Sequence, residues 1–161
     1  MNILACGVAN EVLINHRVLL GPKTRGESLF IYSDHTRTAV QQIDNAYLIQ
    51  QRLPFDEVTL TAIEAVKAVR LAAEVDDGEA EALALASERA VSILTDDNAA
   101  LRLAPTLGVA TITTLDLLYD WAQNVTEARV KAALLSMRVR GNYAPPRRHA
   151  LRHWYIGVLD G

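Results

Sequence analysis

A single cysteine, Cys6, stands in 161 residues. It excludes an internal disulfide framework and a multi-cysteine zinc site, and makes a cytoplasmic, reducing compartment the default. Net basic charge is absent too. Against 16 Lys and Arg stand 19 Asp and Glu, a formal charge of -3, which argues against a chain that coats nucleic acid by bulk charge and leaves room for a local basic patch. The apolar N-terminal segment from Ile3 to Ile14 is broken by Asn10 and Glu11 and has no basic leader, so it reads as neither signal peptide nor membrane span. Several catalytic patterns are lacking as well. Cys6 reads as packing, His16 and His35 have no partner at metal-ligand spacing, and no Ser-His-Asp or phosphate-loop pattern is present. The adjacent acids Asp96-Asp97 lack the Asp-x-Asp spacing of haloacid-dehalogenase-type phosphatases. There is no internal repeat and no low-complexity tract.

What is present is half apolar by residue count, enough for one domain with a real core. Its most informative stretch runs Asp76-Asp77-Gly78-Glu79-Ala80-Glu81-Ala82-Leu83-Ala84-Leu85-Ala86, then Val91-Ser92-Ile93-Leu94-Thr95-Asp96-Asp97. The first acids open a helix, because Ala82, Leu85 and Ala86 recur behind them at helical spacing; the second pair closes a short apolar strand that reads as buried. In open α/β sheets the ligand crevice lies beyond the carboxyl ends of the parallel strands, where Asp96 and Asp97 would sit. Carboxylates gathered there repel one another, and a hard cation such as Mg2+ or Mn2+ neutralises them. The local alternative is capping. Asp76-x-x-Glu79 is a variant capping box, and Asp97 with Asp96 suits the start of the next helix.

Along the chain, helices alternate with short strands. Helices are expected over Cys6–His16, Ile43–Arg52 (ended by Pro54), Ala62–Val75, Gly78–Arg89, Asn98–Leu107 (ended by Gly108), Thr114–Ala122, Thr126–Met137 and Arg148–Tyr155. Strands are expected at Val58–Leu60, Val91–Leu94 and Ala110–Ile112, and Ser28–Ser33 has the composition of an exposed hairpin or insertion. In the helix from Ala62 an apolar stripe of Ile63, Val66, Val69 or Arg70, and Ala73 is expected. Thr114 and Thr126 stand where they can cap their helices. Strands separated by helices imply βαβ units and a parallel sheet with helices on both faces.

The run Asp76-Asp77-Gly78-Glu79-Ala80, the strand end Thr95-Asp96-Asp97, the following Ala100 and Arg102, Gly108-Val109 and Thr113-Thr114-Leu115 resemble the C-terminal two thirds of a PIN-domain nuclease, a superfamily that includes VapC-type toxins. The tail, with Tyr143-Ala144-Pro145-Pro146 and Trp154, is similar to one branch of it. The resemblance covers roughly Ile43 to Tyr155 and, more weakly, Ala5 to Arg17. It implies a PIN-like three-layer α/β/α fold with a short parallel sheet, helix-rich, in a single domain over 1–161: an α/β core over 1–125 with an insertion near 21–40, and a C-terminal helical extension over 126–161. It also implies a Mg2+- or Mn2+-dependent endoribonuclease acting on RNA. An antitoxin-like protein partner belongs to the same likeness; a homodimer is expected if a sheet edge lies open, and no membrane association is expected from the broken N-terminal segment. By that resemblance Glu79 matches the helix-start acid, Asp96 the strand-end acid, Asp97 its water-holding neighbour, and Glu11 the acid of an early helix.

Two departures accompany it. PIN domains begin with a central strand ending in Asp, for which Met1 to Leu4 leaves almost no chain; a truncated start, a substitute segment such as Ser28 to Asp34, and a degenerate member are the three explanations. The helix after Asp97 keeps only Arg102 of the basic residues common in relatives. A catalytically silent PIN-like module that binds protein or RNA therefore stands as the alternative function. Finally, Arg138, Arg140, Arg147, Arg148, His149, Arg152 and His153 lie among Tyr143, Trp154 and Tyr155. Arginine forks bind phosphates and aromatic rings stack on unpaired bases, so Arg102, Arg147, Arg148 and Arg152 are candidate RNA contacts; equally, the aromatics can anchor the last helix while the arginines stay solvated.

Overall fold

The computed structural model describes residues 2–26, 30–33, 36, 38–53 and 55–161. In chain order its elements are α1 (Asn2–Ala5), α2 (Ala9–Val12), β1 (Val18–Leu20), α3 (Pro22–Gly26), β2 (Phe30–Tyr32), β3 (Val40–Gln42), α4 (Asn45–Gln50), β4 (Phe55–Glu57), α5 (Ala62–Leu71), α6 (Asp77–Arg89), β5 (Ile93–Leu94), α7 (Asn98–Leu103), β6 (Thr111–Ile112), α8 (Thr114–Ala122), α9 (Glu127–Arg140) and α10 (Arg152–Asp160). A 3-10 turn over Ala104–Leu107 follows α7 and ends at Gly108, whose φ of 69° is the left-handed conformation that closes a helix. The architecture is α/β and helix-rich with short parallel strand pairs, as expected. Among the described residues no helix is long and apolar enough to cross a membrane. The chain divides into two compact units, one of Arg17–Glu27 and Phe55–Thr113, the other of Met1–His16, Ser28–Pro54 and Thr114–Gly161.

In the first unit, β1 and β4 pair in parallel with Val18 opposite Phe55, and β5 and β6 pair in parallel with Ile93 opposite Thr111. Helices α5 and α6 pack along each other. The core is built from Leu71, Ala80, Leu83, Ala84, Ala86, Ile93, Ala100, Ala104 and Val109, so alanines let α6 approach its neighbours closely. The expected stripe of α5 is corrected here. Ile63, Val66 and Val69 are 68%, 54% and 76% exposed, while Glu64 and Leu71 are buried and Ala68 and Val75 pack on the core. The inward face is thus the 64-68-71-75 series, one carboxylate included. Glu64 tolerates burial because Arg89 from the end of α6 pairs with it. The cap of α5 is a full capping box, in which Thr61 and Glu64 each accept the other's backbone N–H.

In the other unit, α1 and α10 pack on α9, and α2 packs on α8. Leu13, Leu115, Leu118, Leu134 and Met137 are its fully buried large side chains. The Ser136 hydroxyl donates to Ala5 O at 2.7 Å, tying α9 to α1. Within Ser28–Ser33, expected as an exposed hairpin or insertion, β2 pairs antiparallel with β3, Phe30 opposite Gln42, and Ile31 is buried rather than exposed. Arg140 at the end of α9 donates to Tyr32 O and to Gln41 Oε1. Asp34, the terminal acid of the substitute strand considered above, lies outside the described residues, as do Ser28, His35 and Pro54.

Other boundaries shift for local reasons. The single helix expected over Cys6–His16 is interrupted by Gly7 at φ 77°, leaving α2 as its one helical turn. The strand expected at Val58–Leu60 forms three residues earlier as β4, in parallel register with β1, a strand not expected from the sequence. Helix α10 starts at Arg152 because residues 146–151 form turns: His149 N–H donates to Pro146 O, and Leu151 N–H to His149 Nδ1. Thr126 occupies the N-cap of α9 without a side-chain capping bond.

Candidate functional site

The expected acids Glu79, Asp96 and Asp97 belong to the unit built on α5 and α6, together with Arg102. Asp76 holds the N-cap position of α6 in extended conformation but makes no side-chain cap bond, so the variant capping box with Glu79 does not close. Asp77 and Glu79 lie in the first turn, where the helix dipole favours negative charge. Glu79 is half-buried and Gly78 buried.

Helix α3 docks against this turn. Lys23 Nζ reaches Asp77 Oδ2 at 3.0 Å, and the Thr24 hydroxyl donates to Gly78 O at 3.4 Å. Beneath them the buried Glu81 accepts the Lys23 N–H at 2.9 and 3.1 Å and the Thr24 N–H at 3.5 Å, satisfying amide protons at the start of α3. Its carboxylate occupies the space a side chain at position 21 would need, since a Cβ there would clash with Glu81 Oε1. Reading the sequence missed Glu81 as a structural residue. The signal was its place three residues after Gly78 and four before Leu85, on the inward face of α6.

At the carboxyl end of β5 the ladder to β6 continues one step, with Thr95 N–H donating to Ile112 O at 3.0 Å. The buried Thr95 hydroxyl accepts the Asp97 N–H at 3.1 Å. Asp97 then turns its Oδ1 onto the N–H groups of Ala99 and Ala100, both at 2.8 Å, and caps α7. Asp96 is half-buried at the strand end. Arg102 is exposed in the last turn of α7, where a cation suits the helix dipole.

Glu11, Arg147, Arg148 and Arg152 belong to the other unit. Both Glu11 oxygens accept from Arg129 Nη2, at 2.6 and 2.8 Å, and the Arg129 guanidinium lies 5.8 Å from the centre of the Trp121 ring. Glu11 is thus engaged in an ion pair on α9. Arg147 and Arg148 are exposed, whereas Arg152 donates to Pro145 O at 2.8 Å. Cys6 is buried, donates to Ile3 O, and burial pushes its thiol pKa up to about 12, so no thiolate exists near neutral pH and the packing role stands.

Among the described residues, no three or more His, Cys, Asp or Glu side chains gather where they could hold a metal ion. A site for Mg2+ does not require three: such an ion keeps several waters and is held by one or two carboxylates together with substrate phosphate.

No curated protein and no solved structure gives a match. A family model described as a PIN domain matches residues 33–152, three quarters of the chain, including α6, β5 and the acids on them. The chain belongs to the PIN-domain family, a nuclease-type family of α/β fold.

Proposed function

We propose that this chain is a PIN-type endoribonuclease that hydrolyses RNA phosphodiesters with Mg2+ or Mn2+. The observation that supports the reading best is the pair of acids that the matched segment carries on rigid elements: Glu79 in the first turn of α6, next to buried Gly78, and Asp96 at the carboxyl end of β5. Both are half-buried, so their charges are less screened by water than those of surface acids. In this reading Glu79 and Asp96 hold the divalent ion. The ion, when bound, supplies Lewis-acid polarisation of the phosphate and a more acidic water. Asp97 Oδ1 is committed to the cap, which leaves Oδ2 to orient a water. Glu11, expected as a further ligand, is engaged by Arg129. A toxin-like role with an antitoxin-like partner is the narrower form of the same reading.

A second reading, a catalytically silent PIN-domain module that binds RNA or protein, is favoured by two engaged acids, Asp97 in its cap and Glu11 in its ion pair. Cleavage of single-stranded RNA by the purified chain separates the two. The nuclease reading expects Mn2+- or Mg2+-dependent cleavage that EDTA and Asp96→Asn abolish. The module reading expects none from a folded protein.

A further inference from the structure

Helix α5 turns an apolar face to water. Its inward side is taken by Glu64, Ala68, Leu71 and, just beyond it, Val75, while Lys67 is tied to α6 through Ser87 Oγ at 2.6 Å and Glu88 Oε1 at 2.7 Å. At about 100° per residue the remaining positions fill the outward half. Down its middle run Ala62, Val66, Val69 and, in the turn that closes the helix, Ala73, all exposed. Ile63 and Arg70 flank this row on one side, Ala65 and Ala72 on the other, and these are exposed as well. Arg70 is the one charge among the eight. A continuous apolar surface of this kind, almost free of charge at its centre, is the composition of an interface core rather than of ordinary protein surface.

The row has the alternating four-and-three spacing of a coiled-coil seam. It also reads nearly the same in reverse. Laid antiparallel on a second copy of itself, Val66 meets Val69, Ala62 meets Ala73, and Ala65 lies beside Ala72, so small residues face one another and the two helices can approach closely. The charges fit the same arrangement. Arg70 falls beside Ile63 of the second copy rather than beside another Arg70, and the exposed Glu74 falls beside Thr61, the N-cap of α5, where the helix dipole favours a carboxylate. Parallel apposition would instead stack Arg70 on Arg70. The nearby strand β4 is a poor alternative surface, because its exposed Asp56 and Glu57 are the kind of charges that keep an edge from pairing.

We propose that the outward face of α5 is a self-association surface, on which a second copy of this chain docks its own α5 antiparallel about a two-fold axis between Val66 and Val69. The seam from Ala62 to Ala73 is about 17 Å long, and one helix pair of that length covers less than the roughly 800 Å² per partner of a standard stable interface. The dimer is therefore reversible, and its population rises with concentration.

Sedimentation velocity of the full-length chain over a concentration series tests it. The wild type should move from 17.7 kDa towards twice that mass as concentration rises, and added salt should leave the dimer in place because the contact is apolar. Val66→Lys/Val69→Lys sets four lysines across the axis and should stay monomeric at every concentration. Its urea midpoint should match the wild type, since both positions are exposed in the monomer. Val66→Glu/Val69→Lys sets Glu against Lys in each layer and should associate about tenfold or more tightly than the double-lysine variant. Leu135→Lys, at an exposed leucine of α9, should associate as the wild type does. A wild-type chain that sediments as a monomer at every concentration would overturn the proposal and leave the face to a different protein. So would a dimer that the two lysines do not disturb, or one that salt dissolves. Equal dissociation of the two charge variants would overturn the antiparallel register. None of the catalytic acids takes part, so mass and RNA cleavage report separately on this proposal and on the nuclease reading.

Discussion

Arg89 closes a two-pronged ion pair on Glu64, Nε to Oε1 at 2.6 Å and Nη2 to Oε2 at 3.0 Å, while its Nη2 also donates to Thr59 O. The pair joins the last turn of α6 to the first turn of α5, and its carboxylate is buried. It therefore fixes α5 against the helix that carries Glu79. The Arg89 guanidinium beside Glu64 is the main cause that lowers the carboxyl pKa to about 2, with the Thr61 amide and hydroxyl adding to it against the cost of burial.

A carboxylate depressed in the folded state contributes stability that is fully present above its unfolded pKa, near 4.5, and is lost as pH falls towards about 2. Urea midpoints measured from pH 6 down to pH 2 should therefore drop more steeply in the wild type than in Glu64→Gln. At pH 7 Glu64→Gln should lower the urea midpoint, because the buried Glu64 position loses its charge-assisted pair with the part-exposed Arg89. Parallel midpoint curves for the two proteins would show that the pair contributes nothing.

Gly21 is required by contact rather than by backbone conformation. Gly21→Ala should displace the Glu81 carboxylate from the Lys23 and Thr24 amides and cost about 1–3 kcal/mol, as overpacking does in a close-packed interior. Urea denaturation reads the loss. Hydrogen exchange at Lys23 and Thr24 should speed up in the same variant, and protection equal to wild type would contradict the role given to Glu81.

Asp97 allows capping and chemistry to be separated. Asp97→Ala should lower stability by about 1 kcal/mol, whereas Asp97→Asn keeps a side-chain oxygen for Ala99 and Ala100 and should lie within a few tenths of the wild type. If RNA cleavage falls in Asp97→Asn while its urea midpoint holds, the carboxylate charge serves the reaction as well as the helix. Equal cleavage in the Asn variant and the wild type would confine Asp97 to its cap.

Ala90 ends α6 in left-handed conformation at φ 53°, where a Cβ is strained. Ala90→Gly should therefore stabilise the chain, by about 0.5–1 kcal/mol, a sign opposite to that of most glycine substitutions. A lower urea midpoint in this variant would contradict the conformational argument.

Much of this was legible in the chain because the strongest local signals agree with tertiary packing. Helix α8 falls on its expected bounds, α6 within one residue of them, and β5 and β6 within their expected segments. The acids on α6 and after β5 were legible for the same reason, since they flank elements with clear periodicity. Strand β1 was not: three residues next to His16 and Arg17 gain their strand character only by pairing with Phe55–Glu57 far along the chain. Glu64 and Glu81 were illegible as core residues because polarity predicts exposure, and only their partners, Arg89 and the α3 amides, make burial tolerable. The outward turn of Ile63, Val66 and Val69 has the same origin, since the buried ion pair rotates α5 away from its own apolar stripe.

The proposed service of Glu79 and Asp96 in RNA hydrolysis is tested by cleavage of a mixed single-stranded RNA pool. The purified full chain would be assayed with Mn2+ or Mg2+, with EDTA, and as the Asp96→Asn and Glu79→Gln variants, with folding of each checked by circular dichroism. Metal-dependent cleavage by the wild type is expected, falling at least a hundredfold, on the order of 3 kcal/mol of transition-state stabilisation, in either variant. A folded wild-type chain that leaves the pool intact with either ion, or variants that cleave as fast as the wild type, would contradict it.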